Sequence, residues 1–160
     1  MIRKTLAAAA SAALLSACVT EAVDPYDSDP PGLERAMAQL MAGPACLDSD
    51  FIVGDLHGED HPHLEYTEQC VAPFPASLER AGISGRCEVG FDIDPEGVPV
   101  DVAPSCTAWT NLPDWKPFAE AMFAASATRA MEHSRFQRPA DFPQKTSTGL
   151  VQPVRFEFAE

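Results

Sequence analysis

Residues 85–102 read Gly85-Arg86-Cys87-Glu88-Val89-Gly90-Phe91-Asp92-Ile93-Asp94-Pro95-Glu96-Gly97-Val98-Pro99-Val100-Asp101-Val102. Apolar and polar residues alternate on both sides of a turn, the period-2 pattern of two paired strands. Pro95 presets φ for the second position of a type I turn, and Gly97 accepts the positive φ of a three-residue bulged loop, so Asp94-Pro95-Glu96-Gly97 closes a hairpin. Cys87, Val89, Phe91 and Ile93 then point inward. That turn pairs Ile93 with Pro99 and would leave Val102 on the outer face, unless one extra residue near Val100 shifts the phase; a bulge is therefore expected there. With the bulge Cys87 falls opposite Cys106, and without it opposite Ser105. Either register brings Cys87 and Cys106 within bridging reach.

Phe74 to Gly85 reads as a short helix with Pro75 in its first turn and Gly82 at its end. Beyond the hairpin, Phe118, Met122, Phe123, Ala127, Ala130 and Met131 recur at three- and four-residue spacing and form one apolar helical stripe, which Arg135-Phe136 closes. Pro139, Pro143 and Gly149 punctuate a long connection. In the last strand Val154, Phe156 and Phe158 are expected to face the core, with Arg155 and Glu157 in solvent. Pro153 cannot donate to a ladder and suits an edge strand.

This order of helix, strand, turn, strand, helix and strand resembles the C-terminal domain of TonB-like proteins. An aromatic-Pro pair opens the first helix, and an Asp-Pro-Glu-Gly turn joins the strands. The resemblance covers residues 74–158. Ser134 departs from it, standing where many relatives carry a Trp. The resemblance implies an α+β module, a three-stranded antiparallel sheet with two helices on one face, in which the first strand is central and the last lies beside it. It also implies a protein-binding role, because that family pairs its last strand with an extended segment of an outer-membrane receptor. Strand addition draws on unpaired main-chain groups and needs no catalytic residues. The partner-binding edge is accordingly placed at Gln152, Val154, Arg155, Phe156 and Glu157. Self-association through the same edge would make a homodimer.

At the other end of the chain, Arg3 and Lys4 precede an apolar run from Leu6 to Leu15 and the tetrapeptide Leu15-Ser16-Ala17-Cys18. This reads as a secretory signal over 1–17, with a run far short of the roughly 20 residues that cross a bilayer. Leu-Ser-Ala-Cys resembles the lipobox of bacterial lipoproteins, which implies lipidation of Cys18. By resemblance to enterobacterial lipoproteins, the Val after Cys18 favours the outer over the inner membrane. Residues 18–32 hold three prolines and four acids and form a flexible tether. Residues 33–73 form an N-terminal extension, and 74–160 the TonB-like domain. In the extension Leu33, Met37, Leu40 and Met41 share a helical face, stopped by Gly43-Pro44.

Cleavage would leave 9 basic against 24 acidic residues, a formal charge of −15 compared with −13 for the whole chain. That balance excludes nucleic acid and anionic lipid as electrostatic partners. Four cysteines beyond Cys18, in a chain bound for an oxidising compartment, point to two disulfides. Three pairings are formally open. Hairpin register favours Cys87 with Cys106, which leaves Cys46 with Cys70, and TonB-like domains that carry Cys in both hairpin strands support the first pair.

Candidate chemistry is sparse. Val53-Gly54-Asp55-Leu56-His57-Gly58 resembles one signature of two-metal phosphoesterases. The companion Asp-x-His, Asn-His and Gly-His-x-His elements are missing, however. A metal loop using His61 and His63 with Asp55 or Glu59 is a second alternative. A solvated acidic loop between Cys46 and Cys70 is preferred to both, so no metal and no cofactor are expected. No Gly-x-Ser-x-Gly is present, and no enzyme is expected. Trp109 and Trp115 flank a Pro-containing loop, read either as a binding patch or as packing over the helix end.

The leading expectation is a lipid-anchored periplasmic protein whose C-terminal domain binds a periplasmic or outer-membrane protein by strand addition. The alternative is an energy transducer for TonB-dependent transport. By resemblance that role requires an uncleaved inner-membrane helix and a long Pro-rich spacer.

Overall fold

The computed structural model describes residues 30–47, 64–137 and 147–158. In chain order the elements are α1 (Leu33–Ala42), β1 (Glu65–Glu68), α2 (Ala76–Arg80), β2 (Ser84–Ile93), β3 (Pro99–Trp109), α3 (Trp115–His133), β4 (Arg135–Gln137) and β5 (Ser147–Phe156). The class is α+β. One antiparallel sheet has the order β3-β2-β5, a second pairs β1 with β4, and the long helix α3 packs on β3 and β2.

The hairpin turn closes as its residues dictate. Gly97 N–H reaches Asp94 O at 3.1 Å and Asp94 N–H reaches Val98 O at 3.0 Å, while the Asp94 carboxylate accepts Val98 N–H at 2.8 Å. Gly97 sits at φ 86°, and a Cβ there would lie 2.0 Å from the carbonyl oxygen of Phe136, so both backbone and space require glycine. Ile93 pairs with Pro99, and the register slips between Gly90 and Asp92 so that Cys87 faces Cys106. The bulge falls at Asp101, whose φ is 53°, a region Asp tolerates better than most residues. A second slip lies on the other side of β2, where Gly149 at φ 69° donates its N–H to Asp92 Oδ1 at 2.9 Å. Both neighbours of β2 thus bulge beside Phe91.

The core joins the inner face of this sheet to α3. Phe123 and Phe156 are stacked with centroids 4.4 Å apart, and Phe74 meets both edge-on at 5.8 Å. Gly85 makes room for Phe123. A Cβ at that position would sit 2.6 Å from the Phe123 ring and 2.7 Å from the Thr107 carbonyl oxygen.

Four sequence expectations are corrected. Arg135-Phe136 does not close the helix: α3 ends at His133, and Arg135–Gln137 form β4, which pairs with β1, a strand inside the segment expected to be a solvated loop between Cys46 and Cys70. The slip has a polar cause. Buried Ser134 caps α3 through its own N–H to Ala130 O and Met131 O, while its hydroxyl donates to Ala130 O and accepts Cys70 N–H at 3.1 Å, drawing the next residues alongside the extension. On α1 the contact face turns on Ala36, with Met37 and Leu40 beside it, whereas Leu33 and Met41 are exposed. β5 begins at Ser147, far earlier than the alternation around Val154 suggested. Finally, Phe158 lies past the end of β5 and is 44% exposed, although its ring still leans on Phe74 at 5.2 Å.

The extension is fastened to the domain by polar ties as well as apolar contact. Arg129 of α3 donates to Leu40 O at 2.6 Å and Gly43 O at 2.9 Å, supplying a cation at the C-terminus of α1, whose own last turn has none. The Ser126 hydroxyl donates to Pro73 O. Disulfides Cys46–Cys70 and Cys87–Cys106 close loops with separations of 24 and 19 residues. By the loop-closure argument each contributes about 3 kcal/mol.

Gly85→Ala is expected to destabilise the domain by on the order of 3 kcal/mol, through overpacking against a ring and a carbonyl that both resist displacement. Denaturant melts of Gly85→Ala, Phe123→Leu and the double variant check this. A cost in the double variant well below the sum of the two single costs is expected.

Candidate functional site: the two edges of the sheet

In an antiparallel ladder, directly opposed residues alternate between hydrogen-bonded pairs about 5.5 Å apart at Cα and non-bonded pairs about 4.5 Å apart. The Cα atoms of Cys87 and Cys106 are 4.0 Å apart, which makes them a non-bonded pair. The main-chain groups of Cys87 therefore turn to the other side, toward Val154 of β5, its register partner. From this one assignment the phase of every neighbour follows. On β5, Gln152, Val154 and Phe156 spend their N–H and C=O on β2, whereas Val151, Pro153 and Arg155 direct theirs outward. On β3 the outward-directed residues are Pro104, Cys106 and Ala108.

The β3 edge is blunted three times. Pro104 has no N–H, Asp101 bulges, and the outward N–H of Ala108 is taken by Glu120 Oε1 of α3 at 3.4 Å. That last bond supports the phase independently of the disulfide. On β5 two features among the described residues blunt the edge: the bulge at Gly149 near its start, and Pro153, whose missing donor falls on the outer side. No strand among the described residues pairs with the outside of β5. The main-chain donors of Val151 and Arg155 thus mark the less protected edge.

The residues named from the sequence divide between the two sides of β5. Gln152 is 3% exposed, Val154 and Phe156 are buried, and all three point inward, so they shape the edge without presenting side chains on it. Arg155 is exposed on the outer sheet face, and Glu157 is exposed just past the end of the strand. Val151 also belongs with the edge, outside the set expected over 152–157, because Gly149 is a bulge inside β5 and not part of a connection. Pro153 carried the signal: residues two positions away in a strand share its orientation.

Beneath β5, Tyr66 of β1 lies against Phe136, ring centroids 4.4 Å apart, and donates its hydroxyl to Gln152 Oε1 at 3.0 Å. Phe136 in turn stacks on Phe91 at 5.7 Å and donates its N–H to Gly97 O at 3.0 Å. Tyr66 and Gln152 border a cleft that also touches Cys70, Ala127, Met131 and Ser134. It holds about 20 Å³ of water-accessible volume, room for roughly one water.

The other candidates fare differently. Trp115 is buried and meets Phe118 edge-on at 5.6 Å, so only Trp109, 47% exposed, remains for a surface patch. Cys18, Asp55, His57, Glu59, His61 and His63 lie outside the described residues. Among the described residues no helix is long and apolar enough to cross a membrane. No protein-family model matches this chain, and no curated protein matches it.

Burial raises the Tyr66 phenol pKa above its ordinary value of 10.0. An unfolded chain releases that proton near pH 10 while the folded chain keeps it. Folding stability is accordingly expected to fall as pH rises above about 10. Tyr66→Phe removes this part of the decline and costs about 1 kcal/mol at neutral pH through the lost bond to Gln152. Melts of both proteins between about pH 8 and about pH 11, the range around the free phenol value, check the sign.

Proposed function

We propose that this chain is a cell-envelope lipoprotein whose domain, similar to the C-terminal domain of TonB-like proteins, binds another protein by accepting a strand along β5. The observation that carries the reading is the asymmetry of the two sheet edges: β3 is blunted by Pro104, the Asp101 bulge and the Glu120 cap on Ala108, whereas β5 beyond its Gly149 bulge is blunted among the described residues by Pro153 alone. An added strand would receive the N–H donors of Val151 and Arg155 and the carbonyls of residues 151, 153 and 155, so affinity comes from main-chain bonds. No catalytic group is required. Self-pairing of two β5 edges about Pro153 would set the prolines opposite each other and forfeit both central donors, which argues for a different protein as partner rather than a second copy.

The anchor rests on sequence alone. Leu15-Ser16-Ala17-Cys18 following a short apolar run supports lipidation at Cys18 and a periplasmic, outer-membrane-tethered location. The energy-transducer reading needs a spanning anchor, and this short run supports one poorly.

Two tests follow from these placements. Val151→Pro removes an outward donor and spares the β2 ladder, so the domain should melt normally yet lose roughly five-fold in partner capture, the effect of one main-chain bond. Val154→Pro, on the inward phase, should fail to fold. Crosslinking capture from envelope fractions, with melts as folding control, reads both, and unchanged capture by folded Val151→Pro would reject strand addition. Cys18→Ala should release the protein from membranes or leave it uncleaved, as mass spectrometry of the N-terminus would show.

A further inference from the structure

The outer face of the β3-β2-β5 sheet is covered by no helix or strand among the described residues. Its exposed or half-exposed side chains run in cross-strand rows: Thr107, Arg86 and Arg155 in one, Ser105, Glu88 and Pro153 in the next, Ala103, Gly90 and Val151 in a third. Most are small or uncharged, and the exception is the placement of two arginines directly opposite each other. Because Cys87 bonds to Val154, Arg86 and Arg155 form a non-bonded pair, the arrangement that brings side chains closest. Like charges in that position repel.

The protein does little to relieve this. Glu88 reaches Arg86 at only 3.4 Å, with both side chains about 60% exposed (60% and 61%), which is a weak contact. Glu157 lies beyond the end of β5. Arg155 forms no ion pair with any described residue. A chain with 24 acidic residues and 11 basic ones thus places two cations side by side across the β2–β5 pairing, one of them on the strand with the open edge.

The phase of β5 gives this pair a use. Arg155 turns its N–H and C=O outward, so an added strand would place one residue directly opposite it in a bonded pair, with that residue's side chain on the same outer face. We infer that Arg155, with Arg86 beside it, selects an added strand that carries a carboxylate side chain opposite Arg155. The inference rests on the strand-addition reading. A carboxylate there accepts the planar donors of one guanidinium bidentately and lies within the field of the second, offsetting the repulsion between them. The missing donor of Pro153, two residues away, marks the register in which this happens. The partner is thus an extended segment with an acidic residue flanked by inward-facing apolar ones.

The probes are the blocked heptapeptides Ser-Thr-Val-Glu-Val-Thr-Ser and its Gln and Lys counterparts, titrated into the folded protein while the amide resonances of Val151 and Arg155 are followed. The Glu peptide should bind more tightly than the Gln peptide by roughly two- to five-fold, and the Lys peptide most weakly. This preference should shrink with added salt and vanish in Arg155→Gln. Arg86→Gln should reduce it. Both variants should melt at or above the wild-type temperature, because a like-charge contact is removed, a pattern that a merely structural arginine would not produce. Equal binding of Glu and Gln peptides, or a preference that survives Arg155→Gln, overturns the inference and leaves strand addition standing. If no peptide perturbs Val151 and Arg155, strand addition fails and the inference falls with it.

Discussion

The ring of Phe123 resting on the backbone of Gly85 is the contact through which helix and sheet meet. Any side chain at Gly85 would strike the ring at 2.6 Å, so α3 reaches its depth only because β2 carries no Cβ there. Phe156 stacks under the same ring, and Phe74 closes it from the side. One aromatic residue therefore ties α3 to the central strand, to the edge strand and to the segment before α2. Interiors packed at crystal-like density transmit such constraints, which is why the height of α3 also sets which sheet residues are covered.

From that depth the rest of the architecture follows. With α3 lying over β3 and β2, the inner face of β5 needs another cover, which Tyr66 of the extension and Phe74 just after it supply. The extension is held by directional bonds as much as by apolar area. Arg129 completes the C-terminus of α1, Ser126 holds the Pro73 carbonyl, and Ser134 bonds Cys70. Ser126 and Ser134 are each at most 2% exposed, so every one of their bonds is made in a setting where leaving it unmade costs more than in water. A serine at position 134 thus has a local reason: a small hydroxyl can join helix end and extension in a place a large ring would fill.

The two open sides of the sheet are treated unequally, and this asymmetry gives the molecule its direction. A proline, a bulge and a carboxylate from α3 guard β3, whereas β5, among the described residues, has the Gly149 bulge near its start and Pro153. The outer side of β5 combines free main-chain donors with a charge pattern opposite to that of the chain as a whole. In the strand-addition proposal, main-chain bonding and local charge are separable physical terms, one supplying affinity and the other choosing among strands.

Much of this was legible from residue order because it depends on short-range rules. Period-2 alternation, the Asp94-Pro95-Glu96-Gly97 turn and the parity of a hairpin settle β2, β3, the bulge and the facing of Cys87 and Cys106, since each is decided within a few residues. The apolar stripe of α3 and the edge character of Pro153 are local in the same sense. What only the tertiary structure decided is whatever depends on contacts between distant segments. Strand β4 has three residues and exists because Ser134 and Tyr66 bring Arg135–Gln137 beside β1. Ala36 replaced Leu33 and Met41 as the buried point of α1, because burial depends on where α3 lies and not on hydrophobicity alone. The outward phase of Val151, the Glu120 cap on β3 and the facing of Arg86 to Arg155 arise between residues far apart in the chain, where no periodicity in the sequence can report them.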